Sequence, residues 1–274
     1  MTGLAVVCRR VMHIYRSDGG DVVALSGVDL DIAPGQMVAL VGPSGSGKST
    51  LIALLAGMMR PTAGRVQIGL MDIGRISEGE LARLRGTDLG VVLQGARRNL
   101  LPYASVLSNI WFAQRRAARV RPGDLEPPAR ILSLVGLVGQ GHEKVRDLPA
   151  SAQQRAALAV GMAASPGLLL VDEPTSQLDR AGRDEVLHAL ETINRERGTT
   201  IVTVTHDPEV GERLGRAVTI RDGRVGAEGR NGREFAVIAG DGSVQLPPEV
   251  LESLPPGTLL AVRQEDGSVT LTAE

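Results

Sequence analysis

Apolar runs of about a strand's length alternate with turn residues over positions 1–40. They are LAVVCRRVMHIY, ALSGVDLDI and QMVALVG, separated by SDGGD and APGQ. Such runs, bounded by Gly, Pro and Asp, predict β-strands. From residue 48 a helix is expected, KSTLIALLAGMM, closed by RPTAG. GRVQIG predicts a further strand, EGELARLRG a short helix, and LGVVLQ (89–94) a strand ending in Gln94. Residues 95–165 read as mainly helical, with helices in SVLSNIWFAQRRAARV, PPARILSLVGL and ASAQQRAALAVGMAAS. Pro149 suits the first turn of the last one, because its missing N–H would be unpaired there anyway. Strands then return as GLLLVDEP (167–174) and TIVTVTHD, with the helix RDEVLHALETINRERG between them, before a hairpin-like AVTIRDGRVGAEG. Continuously apolar strands alternating with helices predict an α/β fold: a parallel sheet covered on both faces. The helical block is inserted between two of its strands.

Near residue 230 the character changes, and a boundary is expected at 229–231. Residues 1–229 would form one domain, with the helical subdomain at about 95–165, and residues 230–274 a small β-rich appendage. Its predicted strands are FAVIA, SVQLP, LLAVRQ and SVTLTA, with turns GDG and EDG and one small helix, PPEVLESL.

GPSGSGKST, residues 42–50, fits G-x-x-x-x-G-K-[ST]. It follows a strand and opens a helix, which is the context a phosphate loop requires. Gly42, Gly45 and Gly47 let the backbone, together with Pro43, Ser44 and Ser46, wrap an anion with N–H groups inward. The helix N-terminus adds partial positive charge. Lys48 reaches β- and γ-phosphates, Ser49 ligates Mg²⁺, and Thr50 contacts the α-phosphate side. ATP and Mg²⁺ are therefore the expected ligands. GLLLVDEP is the natural partner: its buried strand delivers Asp172 to the carboxyl edge, where ligands bind in open α/β sheets. Asp172 would hold Mg²⁺ through water, and Glu173 would orient the attacking water or accept its proton.

Composition narrows the classes. The 274 residues carry a formal net charge of −1 and only 2% aromatic residues. Neither a basic field nor a stacking platform for nucleic acid is indicated. The arginine runs GARRNL and QRRAAR read as solvated faces. One cysteine, Cys8, rules out a disulfide within the chain and suits a reducing cytoplasm. No run approaches the ~18 apolar residues needed to cross a bilayer. No [NT]-K-x-D base-reading motif occurs, which disfavours a P-loop GTPase.

Four further stretches fall in order: VVLQ before the helical block, LPASAQQR, DEPTSQLD and TVTHD. With the phosphate loop, the chain over about residues 4–228 resembles the nucleotide-binding subunits of ABC transporters. GPSGSGKSTLIALLAG, NLLPYASVLSNI and DEPTSQLD look most like the lipoprotein-release, macrolide-export and cell-division group. The resemblance implies an ABC-type P-loop fold with a mixed sheet core. Gln94 would sense Mg²⁺, water and the membrane subunit. His206 would contact the γ-phosphate and hold the catalytic water. Tyr15 matches the position whose ring stacks on adenine. Ser176, Leu178 and Asp179 match a loop that communicates across a head-to-tail dimer, and Asp179 can also cap the next helix. The implied protein is an ATPase acting beneath an integral membrane permease, cytoplasmic and peripheral on the inner face of the membrane. Soluble ABC-type ATPases of translation or repair usually carry two such domains or a long coiled coil, and neither is present.

One motif departs from the family. In such dimers each phosphate loop faces a Leu-Ser-Gly-Gly-Gln signature from the other subunit. Here Pro149 replaces the serine, Ala150 and Ser151 the two glycines, and Ala152 the glutamine. A hydroxyl and an N–H donor are lost, and Cβ atoms intrude where close approach is expected. Each lost charge-assisted bond costs on the order of 1.5–3 kcal/mol. Ser151 offers a displaced hydroxyl as partial compensation. Two arrangements stay open: a heterodimer with a second ATPase subunit whose signature is intact, or a slow homodimer acting as a regulatory ATPase. Binding without hydrolysis is disfavoured by the retained Glu173 and His206. The tail resembles half of a swapped-hairpin (AbrB-like) domain. With few basic residues, Arg233 and Arg263 among them, it suits dimerisation or regulation rather than DNA.

Overall fold

The computed structural model describes residues 3–16, 20–123, 125–230, 233–239, 242–246, 248–255, 257–265 and 268–273. The expected turns SDGGD, GDG and EDG and the start of NGREF fall wholly or partly outside these residues.

Two sheets form the framework. The first is antiparallel, built from β1 (Val6–Tyr15), β2 (Val22–Ile32), β4 (Ala63–Ile68) and the short β5 (Met71–Asp72), in the order β2-β1-β4-β5. The second holds β3 (Met37–Val41), β6 (Leu89–Val92), β7 (Leu168–Asp172), β8 (Thr200–Val204), β9 (Arg216–Arg221), β10 (Arg224–Arg230) and β11 (Arg233–Ala236). Its order is β11-β10-β9-β3-β8-β7-β6, parallel from β6 to β9 and antiparallel from β9 outward. The central sheet is thus mixed. The strands from residues 1–72 divide between it and the separate antiparallel sheet, a split that strand periodicity alone does not distinguish.

Helices cover both faces. They are α1 (Lys48–Leu55), α2 (Glu78–Thr87), α3 (Val106–Val120), α4 (Pro128–Leu134), α5 (Ala150–Gly161), α6 (Arg180–Arg197), α7 (Pro208–Arg213) and α8 (Pro248–Ser253). The block from residue 96 to 161 lies between the paired strands β6 and β7, as the inserted subdomain requires. Alternation along the central strands splits the core in two. Ala39, Leu169, Val171 and Ile201 face α5, α6 and the inserted helices. Val38, Leu40, Leu168, Leu170, Val202 and Val204 face α1 and the antiparallel sheet. Fully burying each such side chain contributes about 1.5–3 kcal/mol, so the central sheet is a rigid platform for whatever its strand ends carry. Cys8 lies in the second core; burial pushes its thiol up to about 12, so it stays protonated and inert.

Three expectations change. β6 stops at Val92, so Gln94 stands beyond the strand in a loop, where Gly95 adopts φ +83°. Pro149 is the N-cap of α5, one position before its first turn, with φ −56° and ψ 156°. SVQLP forms no strand among the described residues: Val244 makes only an isolated bridge with Ile238. The central sheet also continues past residues 229–231, because β11 pairs with β10 from Ala227↔Ala236 to Arg230↔Arg233. Beyond it, β12 (Leu260–Glu265) and β13 (Ser268–Ala273) pair only with each other.

Candidate functional site

The phosphate loop joins β3 to α1, and its glycines are required by its shape. Gly47 takes φ +102°, and a Cβ there would lie 2.5 Å from the Ala24 carbonyl oxygen. Gly42 takes φ +143°, and a Cβ would collide with the carbonyl of Ile220. Only glycine meets both demands. Lys48 Nζ donates to the carbonyls of Gly42 and Pro43, each at 2.7 Å, and lies 3.4 Å from Ser46 Oγ. Burial lowers its pKa, opposed by the nearby carboxylates Glu173 and Asp172.

Those carboxylates arrive at the end of β7, two strands from β3 with β8 between. Burial raises the Asp172 pKa first and the adjacent Glu173 raises it further, while Lys48 and Arg98 lower it. Glu173 adopts φ +47°, a left-handed conformation rare for a non-glycine residue. Its N–H donates to the Val204 carbonyl at 2.9 Å, and its own carbonyl accepts from Ser176 Oγ at 3.0 Å. The turn thus holds a side chain that is only 12% exposed. His206, just past β8, meets it: Nδ1 is 3.0 Å from Glu173 Oε1. Arg183 on α6 ties the next residue down, with Nη1 2.9 Å from Asp207 Oδ2.

One cavity of about 620 Å³ brings these groups together. Its walls include Tyr15, residues 44–50, Gln94, Asp172, Glu173 and His206. Tyr15 is 43% exposed, stands edge-on to His13, and has its hydroxyl 3.2 Å from Thr50 Oγ1. Gly42 and Pro43 border the loop through Lys48. Ser49, Gln94 and Asp172 share the cavity, an all-oxygen donor set suited to a hard cation beside phosphate. Among the described residues no cluster of three His, Cys, Asp or Glu occurs.

Two predicted positions lie elsewhere. Asp179 caps α6, its Oδ1 accepting from the Gly182 N–H at 2.8 Å. Ser151 is half-buried beside it, its Cβ 3.1 Å from where a Gly182 Cβ would stand. Neither lines the cavity of this subunit. The structure also adds residues. Val22, Val23 and Ala24 form a wall beside Tyr15, because β1 and β2 pair Tyr15↔Val22 and Ile14↔Val23. The hairpin register was the available signal. Arg98, close enough to act on Asp172, belongs to an arginine run that looks merely solvated in sequence.

A phosphate loop facing the carboxylate end of a strand two places along the same mixed sheet, with an inserted helical block, defines a P-loop nucleoside triphosphatase. More narrowly, the chain belongs to the ABC transporter family, whose model matches residues 25–176. It is 40% identical over 213 residues to the lipoprotein-releasing system ATP-binding protein LolD of Anaeromyxobacter dehalogenans, covering 77% of this chain and 88% of that one. It is 35% identical to the macrolide export ATP-binding/permease protein MacB of Rhodopseudomonas palustris over 90% of this chain, which corresponds to 38% of that longer protein. A dimeric ATP-binding cassette solved in a post-hydrolysis state with ADP and Pi superposes with a TM-score of 0.72 at 30% identity, covering 84% of this chain and all of that one. The chain is an ATP-binding subunit of an ABC transporter and an ATPase.

Proposed function

We propose that the chain drives a separate integral membrane permease by ATP-dependent closure of a head-to-tail dimer, formed with itself or with a second ATPase subunit. The observation that carries this reading is the convergence of Lys48, Asp172, Glu173 and His206 on one cavity. Tyr15, with Val22 and Val23, would hold adenine. The backbone of residues 42–50 and Lys48 would hold the phosphates. Ser49, Asp172 and Gln94 would hold Mg²⁺, which when bound neutralises the β- and γ-phosphate oxygens. Glu173 would take the proton of the attacking water. His206 Nδ1 is engaged by Glu173, and Nε2 would donate to a γ-phosphate oxygen when both ring nitrogens carry a proton. Ser151 and Asp179 would act on the partner's nucleotide, which fits their place outside this subunit's cavity.

A second cavity, about 250 Å³, suits the permease. Arg97, Tyr103, Arg146 and Gln153 are among its walls, so an occupant would touch both the loop after Gln94 and the first turns of α5. Tyr103 is 74% exposed, with the Arg146 guanidinium 5.1 Å from its ring centre. No helix among the described residues is long and apolar enough to cross a membrane, so the spanning partner would be another protein, with this chain on the cytoplasmic face. The altered signature LPASA favours low turnover, either as a regulatory homodimer or as one half of a heterodimer. The tail, residues 230–274, would serve dimerisation.

The test is Glu173→Gln. The variant should bind ATP, accumulate as an ATP-trapped dimer and lose on the order of 100-fold in turnover, in line with removal of a general base. Wild-type turnover in that variant would exclude Glu173 as the base. Affinity purification from detergent-solubilised membranes should recover a multi-span protein. Its consistent absence would overturn the permease reading.

A further inference from the structure

All five aromatic residues of the chain lie at its surface: Tyr15, Tyr103, Trp111, Phe112 and Phe235. Tyr15 lines the nucleotide cavity and Tyr103 the groove beside α5. Trp111 and Phe112, 64% and 61% exposed, belong to neither. Both stand on the outer face of α3, where Phe112 with Arg115, Arg116 and Arg119 lines an open cavity of about 540 Å³.

Helix geometry orders this face. At 100° per residue, Trp111, Arg115, Ser108, Arg119 and Phe112 follow one another across an arc of about 100°. The opposite side, with Val106, Ile110, Gln114 and Ala117, is buried. Arg116 leans over α2, where its Nε would lie 2.7 Å from a Cβ on Gly86. Arg115 and Arg119 remain between the two rings. Among the described residues, none of the three arginines has an ion-pair partner, and α3 carries no Asp or Glu. Elsewhere in the chain, Arg9, Arg60, Arg130, Arg155 and Arg213 all reach carboxylates.

We propose that the outer face of α3 docks on an anionic phospholipid surface, with Trp111 and Phe112 seated at headgroup depth and Arg115 and Arg119 on lipid phosphates. The charge decides the occupant. An acid-free convex face carrying free guanidiniums between amphipathic rings matches phosphate-rich headgroups, where tryptophan concentrates and each arginine adds favourable binding. A dry protein interface would instead leave those guanidiniums unpaired or require carboxylates placed to meet them.

Trp111 is the chain's only tryptophan, so its fluorescence reports from this face alone. The full chain is mixed with pure phosphatidylglycerol vesicles at low salt, and with neutral phosphatidylcholine vesicles. The proposal expects a blue shift and quenching by brominated lipid with the anionic vesicles, reversed by salt. Arg115→Glu with Arg119→Glu should lower the partition by on the order of tenfold or more while leaving basal ATPase activity unchanged. Three results would each overturn it: no spectral change with anionic vesicles, an equal change with neutral ones, or undiminished binding by the double variant. A shift seen only with a permease reconstituted in neutral lipid would assign the face to protein and overturn it as well. The vesicles contain no permease, so failure here leaves the transporter reading intact.

Discussion

Asp172 is placed where its ionisation costs stability. The strand that brings it to the phosphate loop also buries it beside Glu173, and both effects raise its pKa; Lys48 and Arg98 offset only part of this. A folded-state pKa above the ordinary value means that ionisation opposes folding. The penalty is complete above the folded pKa and vanishes once the pH falls below the ordinary value of 3.8. Asp172→Asn should therefore raise the melting temperature of the nucleotide-free protein at pH 7–8, with the gain fading toward pH 4. The same variant should lose Mg²⁺-dependent nucleotide binding. Thermal melts across pH, without nucleotide, check the first part; an unchanged or lower melting temperature at pH 8 would mean that attraction to Lys48 outweighs burial. Sequence showed that Asp172 and Glu173 end a buried strand, because apolar LLLV permits little else. It did not show the left-handed turn at Glu173 or its contact with His206. Those depend on β7 and β8 being neighbours, and pairing between strands 28 residues apart leaves no local mark.

The same contrast holds among helices and strands. Most elements were legible because their apolar periods are strong; the structure adds their caps, Ser77 and Glu80 closing a capping box on α2 and Gly198 ending α6 in a left-handed C-cap. What sequence missed was which sheet each early strand joins, the short helix α7 between β8 and β9, and β5 altogether, since two residues carry no period. The start of α5 is where local chemistry and family pattern conflict. Pro149 caps that helix without a side-chain hydrogen bond, and no acid lies in its first turn. Four N–H groups at a helix start need partners. Pro149→Ser restores a capping oxygen worth about 1 kcal/mol, which should raise the melting temperature by about 2–4 °C. Adding Ala150→Gly allows close approach of a partner's γ-phosphate. In a homodimer the pair should raise ATP turnover by on the order of tenfold or more, the value of one recovered charge-assisted hydrogen bond. Stability that rises while turnover stays flat would point to a heterodimer, in which the site facing this helix is not the one that limits turnover. Measuring both on one sample separates the cap from the catalytic effect.

How the cassette and its tail join bears on where the chain can be cut. Composition changes near residue 230, yet the hydrogen-bonded sheet does not end there: β11 pairs with β10 along its whole length, and Val237 packs on the second core. Gln245 Nε2 reaches the Arg221 carbonyl at 3.4 Å, and Arg224 Nη1 lies 3.2 Å from Ser243 Oγ. Residues through about 246 are therefore stitched to the cassette, whereas β12 and β13 form a separate hairpin with Val262, Val269 and Leu271 exposed. An isolated two-stranded hairpin is marginal in water, so these apolar side chains call for a cover. Composition located a change of surface rather than the end of the packed sheet, because an edge strand such as β11 pairs through its backbone and needs little apolar sequence. A chain ending at Leu246 should keep the thermal transition and ATP affinity of the intact protein. One ending at Gly229 should melt several degrees lower, since it bares the β10 edge and removes Val237 from the core. If the hairpin serves dimerisation, the chain ending at Leu246 should also sediment with a smaller dimer fraction at equal concentration without nucleotide. Equal dimer fractions would leave association to the cassette alone, and equal melting of the two truncations would show that β11 adds nothing to the sheet it extends.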